Sequence, residues 1–204
     1  VWDGIRAAGK PVYKFKHLDY EDLKEQIKIH LLDDEKPLVF SDGVFPISGE
    51  IAPVNRYLNI VEQYDGRVCL DDAHAAGVLG ELGRGTLEHF KITSSRCVST
   101  FTLSKALGGY GGVIAGTEEL IDELDQNSKV YVAASPPPLP SAGASAAALR
   151  IARTNRELLL QLRANIKMAR EGLRSLGWQL EENDVPILCL RKRKGIGLGN
   201  LKER

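Results

Sequence analysis

The residues best suited to chemistry in this chain stand just after short β-rich runs. Lys105 follows the run at residues 97–101 and precedes a turn with glycines at 108, 109, 111 and 112. A lysine held on rigid backbone, with small residues leaving space beside it, is suited to imine formation with a bulky carbonyl compound. An isolated lysine is usually a solvated surface residue, so this interpretation depends on the glycines and hydroxyls around Lys105.

A second group, Asp71, Asp72 and His74, follows the β-rich run at residues 68–70. Open α/β sheets bind ligands at the carboxyl ends of their strands, although an aspartate there is also a common helix cap. An acid, an imidazole and an amine at such ends suit pyridoxal phosphate, with its ring nitrogen, phenolic oxygen and aldehyde. Successive side chains alternate between strand faces, so Asp71 and Asp72 cannot both be aimed at one ring nitrogen.

A phosphate-binding loop is the competing interpretation of the N-terminal part. Gly4, Gly9 and Lys10 match part of a GxxxxGK pattern, and residues 71–74 resemble the acidic box of helicase-type NTPases. Pro11, however, has neither the hydroxyl that such a loop offers to Mg²⁺ nor the backbone N–H that helps to hold phosphate. The sequence therefore disfavours an NTPase.

The elements that must position these residues are predicted as alternating strands and helices, which indicates an α/β layered sheet. Strands are expected at 38–41, 68–70, 97–101, 112–115 and 185–190, and helices at 19–31, 53–63, 117–124 and, as one long stretch, 141–176. Residues 136–140 contain four prolines and predict a stiff connector. Gly177 ends the long helical stretch, and a domain boundary is expected near it.

Composition excludes several classes of protein. The 27 basic and 27 acidic residues give a formal net charge of zero, which offers no field for nucleic acid or anionic membranes. Three widely spaced cysteines form neither a disulfide framework nor a metal site, so a cytoplasmic, reducing location is expected. No membrane span or signal peptide is expected. The chain begins at Val1 and stops among helix formers, which predicts a piece of a longer protein.

Five motifs in order along the chain resemble those of the α-oxoamine synthases, a family of fold-type I pyridoxal-phosphate enzymes. They are DGVF at 42–45, GEIAP at 49–53, DDAHAAGVLG at 71–80, GRGT at 83–86 and TLSKALGG at 102–109. The resemblance implies a three-layer α/β fold with a mixed, mostly parallel sheet. Residues 1–176 would be the central and C-terminal part of the cofactor-binding large domain, and residues 177–204 the beginning of a small C-terminal α/β domain.

The resemblance also implies site roles. Lys105 corresponds to the Schiff-base lysine, Asp71 to the partner of the pyridine nitrogen and His74 to the residue at the phenolic oxygen. Thr102 corresponds to a phosphate ligand, and Ser135 to a phosphate contact that reaches the neighbouring subunit's site in a homodimer with shared active sites. No metal is implied.

Three departures from the family pattern accompany this resemblance. Pro46 stands where several members have a serine near the cofactor. The histidine that stacks on the cofactor ring would fall upstream of Val1, and most of the C-terminal domain with its carboxylate-binding arginine would fall beyond Arg204. The 204-residue chain by itself is therefore expected to be catalytically inactive.

The implied activity of the parent protein is a condensation of a small amino acid with an acyl-CoA thioester, an acyl-CoA:amino-acid C-acyltransferase reaction. Decarboxylation after the condensation and the identity of both substrates stay open. A fold-type I aminotransferase is the alternative enzyme class. A scaffold subunit without cofactor is the non-enzymatic alternative, against which the presence of Lys105 argues.

Overall fold

Four strands form one sheet in the order β1-β2-β3-β4. In the computed structural model, which describes residues 2–131 and 134–190, the strands are β1 (Leu38–Asp42), β2 (Arg67–Asp71), β3 (Cys97–Thr102) and β4 (Gly112–Ala115). The first three are mutually parallel, and β4 pairs antiparallel with β3. The prediction of a mixed, mostly parallel sheet is confirmed.

Helices connect and flank these strands. They are α1 (Trp2–Ala7), α2 (Tyr20–His30), α3 (Val54–Val61), α4 (Thr86–His89), α5 (Glu118–Asn127), α6 (Leu139–Thr154) and α7 (Glu157–Ser175), with a 3-10 turn at Glu62–Tyr64. Asp19 caps α2 by accepting a hydrogen bond from Asp22 N, and Thr117 caps α5 through Leu120 N. The helices predicted over 19–31, 53–63 and 117–124 are confirmed.

The main core lies between the sheet and the helices α2 and α3. Its buried members include Leu23 and Ile27 of α2, Val54, Tyr57, Leu58 and Val61 of α3, and Val68 and Leu70 of β2. Burial of each such side chain contributes roughly 1.5–3 kcal/mol. A second cluster joins Val44, Ala75, Leu79 and Val185 beside the ends of β1 and β2. The elements that carry the candidate chemistry therefore rest on packed backbone.

The single helical stretch predicted over 141–176 is wrong, because the structure has two helices, α6 and α7. Asn155 leaves the helical region with φ −108° and ψ 89°. Its Oδ1 accepts a hydrogen bond from Glu157 N at 3.1 Å, an alternative to the helical ladder that asparagine side chains commonly offer. Within α7, Ile166 is buried, whereas Leu158 and Leu160 are each 54% exposed.

The strand predicted over 185–190 is also wrong, since these residues join no ladder. Val185 is completely buried, but side chains satisfy its backbone, because Asn183 Oδ1 accepts from Val185 N and Arg170 donates to Val185 O. Apolar character here reflects packing against the second cluster rather than strand pairing. Residues 191–204 lie outside the described part, so the domain division at 176 stays a prediction.

The N-terminal residues do not form a phosphate-binding loop. Gly4 lies within α1, and Lys10 is followed by irregular backbone rather than by a helix. A phosphate-binding loop needs a strand before it and a helix after it, so the NTPase interpretation is wrong. Of the helices in the described ranges, none combines the length and apolar character that a membrane span requires.

The end of α4 offers a test of backbone strain. Lys91 has φ 55° just after α4, and Ile92 N donates to Leu87 O at 2.9 Å in a helix-ending turn that favours glycine. Replacing Lys91 by glycine is expected to raise the free energy of unfolding by about 1 kcal/mol, because a side chain in this left-handed region costs roughly that much. Urea unfolding measures this change in free energy. The control Lys91→Ala keeps a Cβ and should give no such gain in stability. Equal gains in the glycine and alanine variants would contradict the explanation.

Candidate active site

The candidate site lies where β1, β2 and β3 end. The register pairs Asp42 with Asp71 and Asp71 with Thr100, so these three side chains share one row and one face of the sheet. β3 continues two residues further to Thr102, which returns to the same face. The row stands at the carboxyl edge of parallel strands, the usual position of ligand sites in such sheets.

The closest contact of the site joins Lys105 and His74. Lys105 Nζ lies 2.7 Å from His74 Nε2, although the two residues are 31 positions apart. Lys105 is exposed and His74 is half-buried, so the amine is accessible from solvent. The two nitrogens are within hydrogen-bonding distance, and the histidine tautomer decides which of them donates. Folding therefore brings the predicted amine and the predicted imidazole into direct contact.

In the turn after β3, hydrogen bonds fix the residues that precede Lys105 and those that follow it. Thr102 Oγ1 accepts a hydrogen bond from Ser104 N at 3.2 Å and lies 2.7 Å from Ser104 Oγ. Leu103 N donates to Gly111 O at 2.9 Å, and Gly109 N donates to Leu103 O at 2.7 Å. Thr102 and Ser104 thus present two hydroxyls beside Lys105 in a turn that its own backbone closes.

Gly77 supports this turn by close packing. A Cβ at Gly77 would lie 2.5 Å from the Cβ of Ala106, and Gly77 has φ +79°. Only glycine combines this backbone conformation with so near an approach. Ala106 follows Lys105 directly, so the Gly77 backbone fixes the distance between the His74 turn and the lysine turn.

Replacing Gly77 by alanine is expected to lower the free energy of unfolding by about 2 kcal/mol or more, because left-handed strain adds to the collision with Ala106. The matched control Gly143→Ala meets no atom within 4 Å and lies in α6, where alanine should be neutral or stabilising by up to about 1 kcal/mol. Urea unfolding measures both variants. The double variant with Ala106→Gly should recover part of the loss; no recovery would contradict the proposed collision.

Charges gather at this edge of the sheet. Burial and the neighbouring Asp71 raise the pKa of the Asp42 carboxyl, while His74 and Lys105 act in the opposite direction. Asp71, His74 and Lys105 therefore all lie within electrostatic range of Asp42. Asp42 was not among the predicted site residues; its sequence signal was a strand followed by Asp-Gly, which by itself indicates only a turn.

Asp71 and Asp72 occupy different environments, as the alternation of strand side chains predicts. Asp71 is half-buried on the site face, and its Oδ1 accepts a hydrogen bond from Ala73 N at 3.0 Å. Asp72 is 1% exposed and is bound by Thr86 and Ser99 on the opposite side. Of the two acids, Asp71 is the one placed with Lys105 and His74.

The remaining predicted residue, Ser135, lies apart from the strand ends. It is exposed and lines an open groove of about 590 Å³ together with Tyr110, Gly111 and Pro136. The groove separates the glycine-rich turn after Lys105 from the proline segment. Ser135 therefore faces the lysine turn across open space, without a contact to Lys105, His74 or Asp71 among the described hydrogen bonds.

The donor set fits pyridoxal phosphate. Lys105 provides an accessible amine, Asp71 a carboxyl group on a neighbouring strand and His74 an imidazole at 2.7 Å from that amine. Thr102 and Ser104 provide hydroxyls suited to an anion, and a Cβ at Gly108 would meet no atom within 4 Å, so the lysine turn leaves open space. The residues present thus match the amine, acid and imidazole that this cofactor requires.

Comparison with known proteins gives a consistent result. The family model for class I and II aminotransferases matches residues 2–195. The 8-amino-7-oxononanoate synthase of Thermosipho melanesiensis is 36% identical over 187 residues, which cover 92% of this chain and 48% of that protein. A putative 8-amino-7-oxononanoate synthase of Acetivibrio thermocellus is 37% identical over 190 residues, covering 93% and 48% respectively. The chain spans about half the length of these relatives.

Solved structures agree on the fold. A serine palmitoyltransferase variant from S. paucimobilis, solved with bound PLP and myriocin, matches with a TM-score of 0.85 at 22% identity, covering 95% of this chain and 51% of that one. The 8-amino-7-oxononanoate synthase from Francisella tularensis matches with a TM-score of 0.73 at 27% identity, covering 91% and 53%. The predicted fold class is confirmed by these two matches.

Proposed function

Because this chain belongs to the class I and II aminotransferase family, we propose that its parent protein is a pyridoxal-phosphate-dependent acyl-CoA:amino-acid C-acyltransferase. The resemblance to the α-oxoamine synthases is confirmed by two relatives named as 8-amino-7-oxononanoate synthases, which are 36% and 37% identical to this chain. The observation that carries the proposal is the 2.7 Å contact between Lys105 Nζ and His74 Nε2 at the strand ends beside Asp71.

Pyridoxal phosphate supplies an electron sink for negative charge at the α carbon of an amino acid. Lys105 Nζ would be the amine that holds the cofactor and the base that accepts the α proton of the amino acid. The Asp71 carboxyl group would hold the ring nitrogen in its protonated form, because a nearby negative charge raises the pKa of such a nitrogen. His74 Nε2 orients Lys105 Nζ and binds near the phenolic oxygen.

The hydroxyls of Thr102 and Ser104 bind the phosphate group. Both lie in the turn that also carries Lys105, so amine and phosphate ligands share one rigid segment. Hydroxyls and backbone N–H groups on a fixed turn are suited to an anion because no side chain has to be ordered on binding. Thr102 is the predicted ligand, and Ser104 is added because its Oγ lies 2.7 Å from Thr102 Oγ1.

The proposed partners are a small amino acid, an acyl-CoA thioester and a second copy of the chain. The groove beside Ser135 and Tyr110 is open on this single chain, and Ser135 would reach the site of the neighbouring subunit in a homodimer with shared active sites. The cytoplasm is the proposed location. Gly111, at the end of the lysine turn, lines this groove together with Ser135, which supports a site completed by a second copy of the chain.

The test is an assay of the full-length protein with glycine, serine or alanine and a series of acyl-CoA thioesters. Release of free CoA thiol that depends on both substrates is expected, with formation of an amino ketone. Amino transfer to pyruvate or 2-oxoglutarate without CoA release would overturn the proposal in favour of an aminotransferase, the activity for which the matched family is named. Absence of both activities from protein that binds the cofactor would also overturn it.

A further inference from the structure

Asp72 is a buried carboxyl group next to the candidate site, with a dense set of hydrogen bonds. It is 1% exposed. On Oδ2 it accepts hydrogen bonds from Thr86 N at 3.0 Å and Ser99 Oγ at 3.1 Å, and on Oδ1 it accepts one from Thr86 Oγ1 at 2.6 Å. Burial and Asp71 raise the pKa of Asp72, whereas the bonds from Thr86 and Ser99 lower it. The carboxyl group is therefore held by three donors from two other segments.

Two glycines close the space around this carboxyl group. A Cβ at Gly43 would lie 2.0 Å from Asp72 Oδ1, and a Cβ at Gly85 would lie 2.4 Å from Oδ2. The carboxyl group thus fills the room that the two glycines leave. Packing of this kind transmits a small displacement instead of absorbing it.

The backbone of Asp72 connects the same residue to the site. Asp72 N donates to Thr100 O at 2.7 Å, which extends the β2–β3 pairing by one residue. Asp72 O accepts from Ala75 N and Ala76 N, both at 2.9 Å, and these bonds close the turn that carries His74. A single residue therefore joins the end of β3, the beginning of α4 and the turn of His74.

We propose that Asp72 is a positioning residue whose buried carboxyl group holds the turn of Asp71 and His74 at the distance that Lys105 requires. It does not contact the reacting groups, because its oxygens are directed at Thr86 and Ser99. This inference rests on the proposed function insofar as Lys105 and His74 act on a cofactor. Its geometric part, the dependence of the His74 turn on Asp72, holds whatever reaction is catalysed.

Substitution of Asp72 by asparagine or by alanine separates the shape of the side chain from its ability to accept hydrogen bonds. Asparagine can keep all three contacts if its amide nitrogen faces Thr86 Oγ1, since that hydroxyl can rotate and accept. Alanine leaves the N–H of Thr86 without an acceptor and empties the space between the glycines. Asp72→Asn should therefore retain most of the positioning that Asp72→Ala loses.

The experiment compares these variants in the full-length holoenzyme. For Asp72→Ala we expect kcat to fall about 100-fold with KM changed by less than about threefold, because misplacement by 1 Å affects the transition state more than binding. The pH midpoint of the cofactor's absorption band should shift, because the position of Lys105 relative to His74 changes. Asp72→Asn should restore kcat to within about tenfold of the wild type.

A readout without cofactor separates failure of this inference from failure of the proposed function. In the cofactor-free protein, the ring resonances of His74 should move in Asp72→Ala, while those of His30, which stacks on Tyr13, stay in place. Glu88→Ala is the matched control. Glu88 accepts from Leu82 N and Arg84 N in the segment that leads to Thr86, and none of its described hydrogen bonds reaches the turn of His74. It should lower stability and leave the His74 signals and kcat unchanged.

Unchanged His74 signals and unchanged kcat in folded Asp72→Ala protein would overturn the inference, as would equal effects of Glu88→Ala. If Asp72→Ala does not fold, Thr86→Val removes the 2.6 Å donor and keeps Asp72. The valine variant should shift the His74 signals and lower kcat about tenfold, and Thr86→Ser should restore both. A valine variant with wild-type signals and kcat would then overturn the inference.

Discussion

Lys105→Ala is expected to abolish covalent attachment of pyridoxal phosphate and to lower turnover by roughly 10²–10⁴-fold, the range typical of a lost general acid–base group. The physical reason is the position of the amine. It is held on the turn between Thr102 and Gly111 and lies 2.7 Å from His74 Nε2. A lysine elsewhere on the surface cannot replace it, because the strand ends define the geometry of the site.

The measurement is borohydride reduction of the full-length holoenzyme followed by peptide mapping. The label should be found on Lys105 in the wild type and be absent from Lys105→Ala. Lys167→Ala is the matched control, since Lys167 is exposed on α7 and contacts only Glu171 at 3.9 Å among the described ion pairs. Label on a lysine other than Lys105 would show that the site is assigned to the wrong residue.

Asp71→Asn is expected to leave cofactor attachment intact and to slow removal of the α proton by about 100-fold or more, the cost of losing one aimed electrostatic group. Without the carboxyl charge, the ring nitrogen loses the partner that keeps it protonated. Asp72→Asn should be far milder, because Asp72 is bound by Thr86 and Ser99 and is turned away from Lys105.

Exchange of the α proton of glycine for deuterium, followed by NMR in both variants, measures this difference. The exchange assay needs no acyl-CoA, so it reports on the proton step alone. A severe loss in Asp72→Asn with nearly normal exchange in Asp71→Asn would mean that the two acids have exchanged the roles assigned to them. Comparable losses in both would contradict the assignment of separate faces.

Much of the fold could be predicted because the relevant signals are local. The capped helix α2 has apolar residues four positions apart, at Leu23 and Ile27, and short β-rich runs stand next to Asp-Gly or glycine-rich turns. The helix break at Asn155 was missed because residues 153–157 contain neither proline nor glycine, while one side-chain hydrogen bond to Glu157 N decides the backbone. The sequence wrongly predicts a strand at Val185, because apolar character does not distinguish a buried loop residue from a buried strand residue.

From the sequence, candidate site residues could be proposed only by their chemical type and by their position at the ends of predicted strands. Asp42 was missed, since only the register of β1 against β2 brings it opposite Asp71. Outside the site, the buried guanidinium of Arg170 was not predicted either. It donates to the backbone of Glu181 and Val185 and to Asn183 Oδ1, and such a long-range role leaves no pattern in the surrounding sequence.

By itself the sequence determined the alternation of strands and helices, the family motifs and the candidates Lys105, Asp71 and His74. Alternation along a strand also determined that Asp71 and Asp72 face opposite sides, because the side-chain period of two is a local property. Only the tertiary structure decided which of these groups come into contact. It did so by placing Lys105 against His74, 31 residues away, and Thr86 against Asp72, 14 residues away. Such contacts depend on sheet register and on close approaches such as that of Gly77 to Ala106, which exist only once the chain has packed.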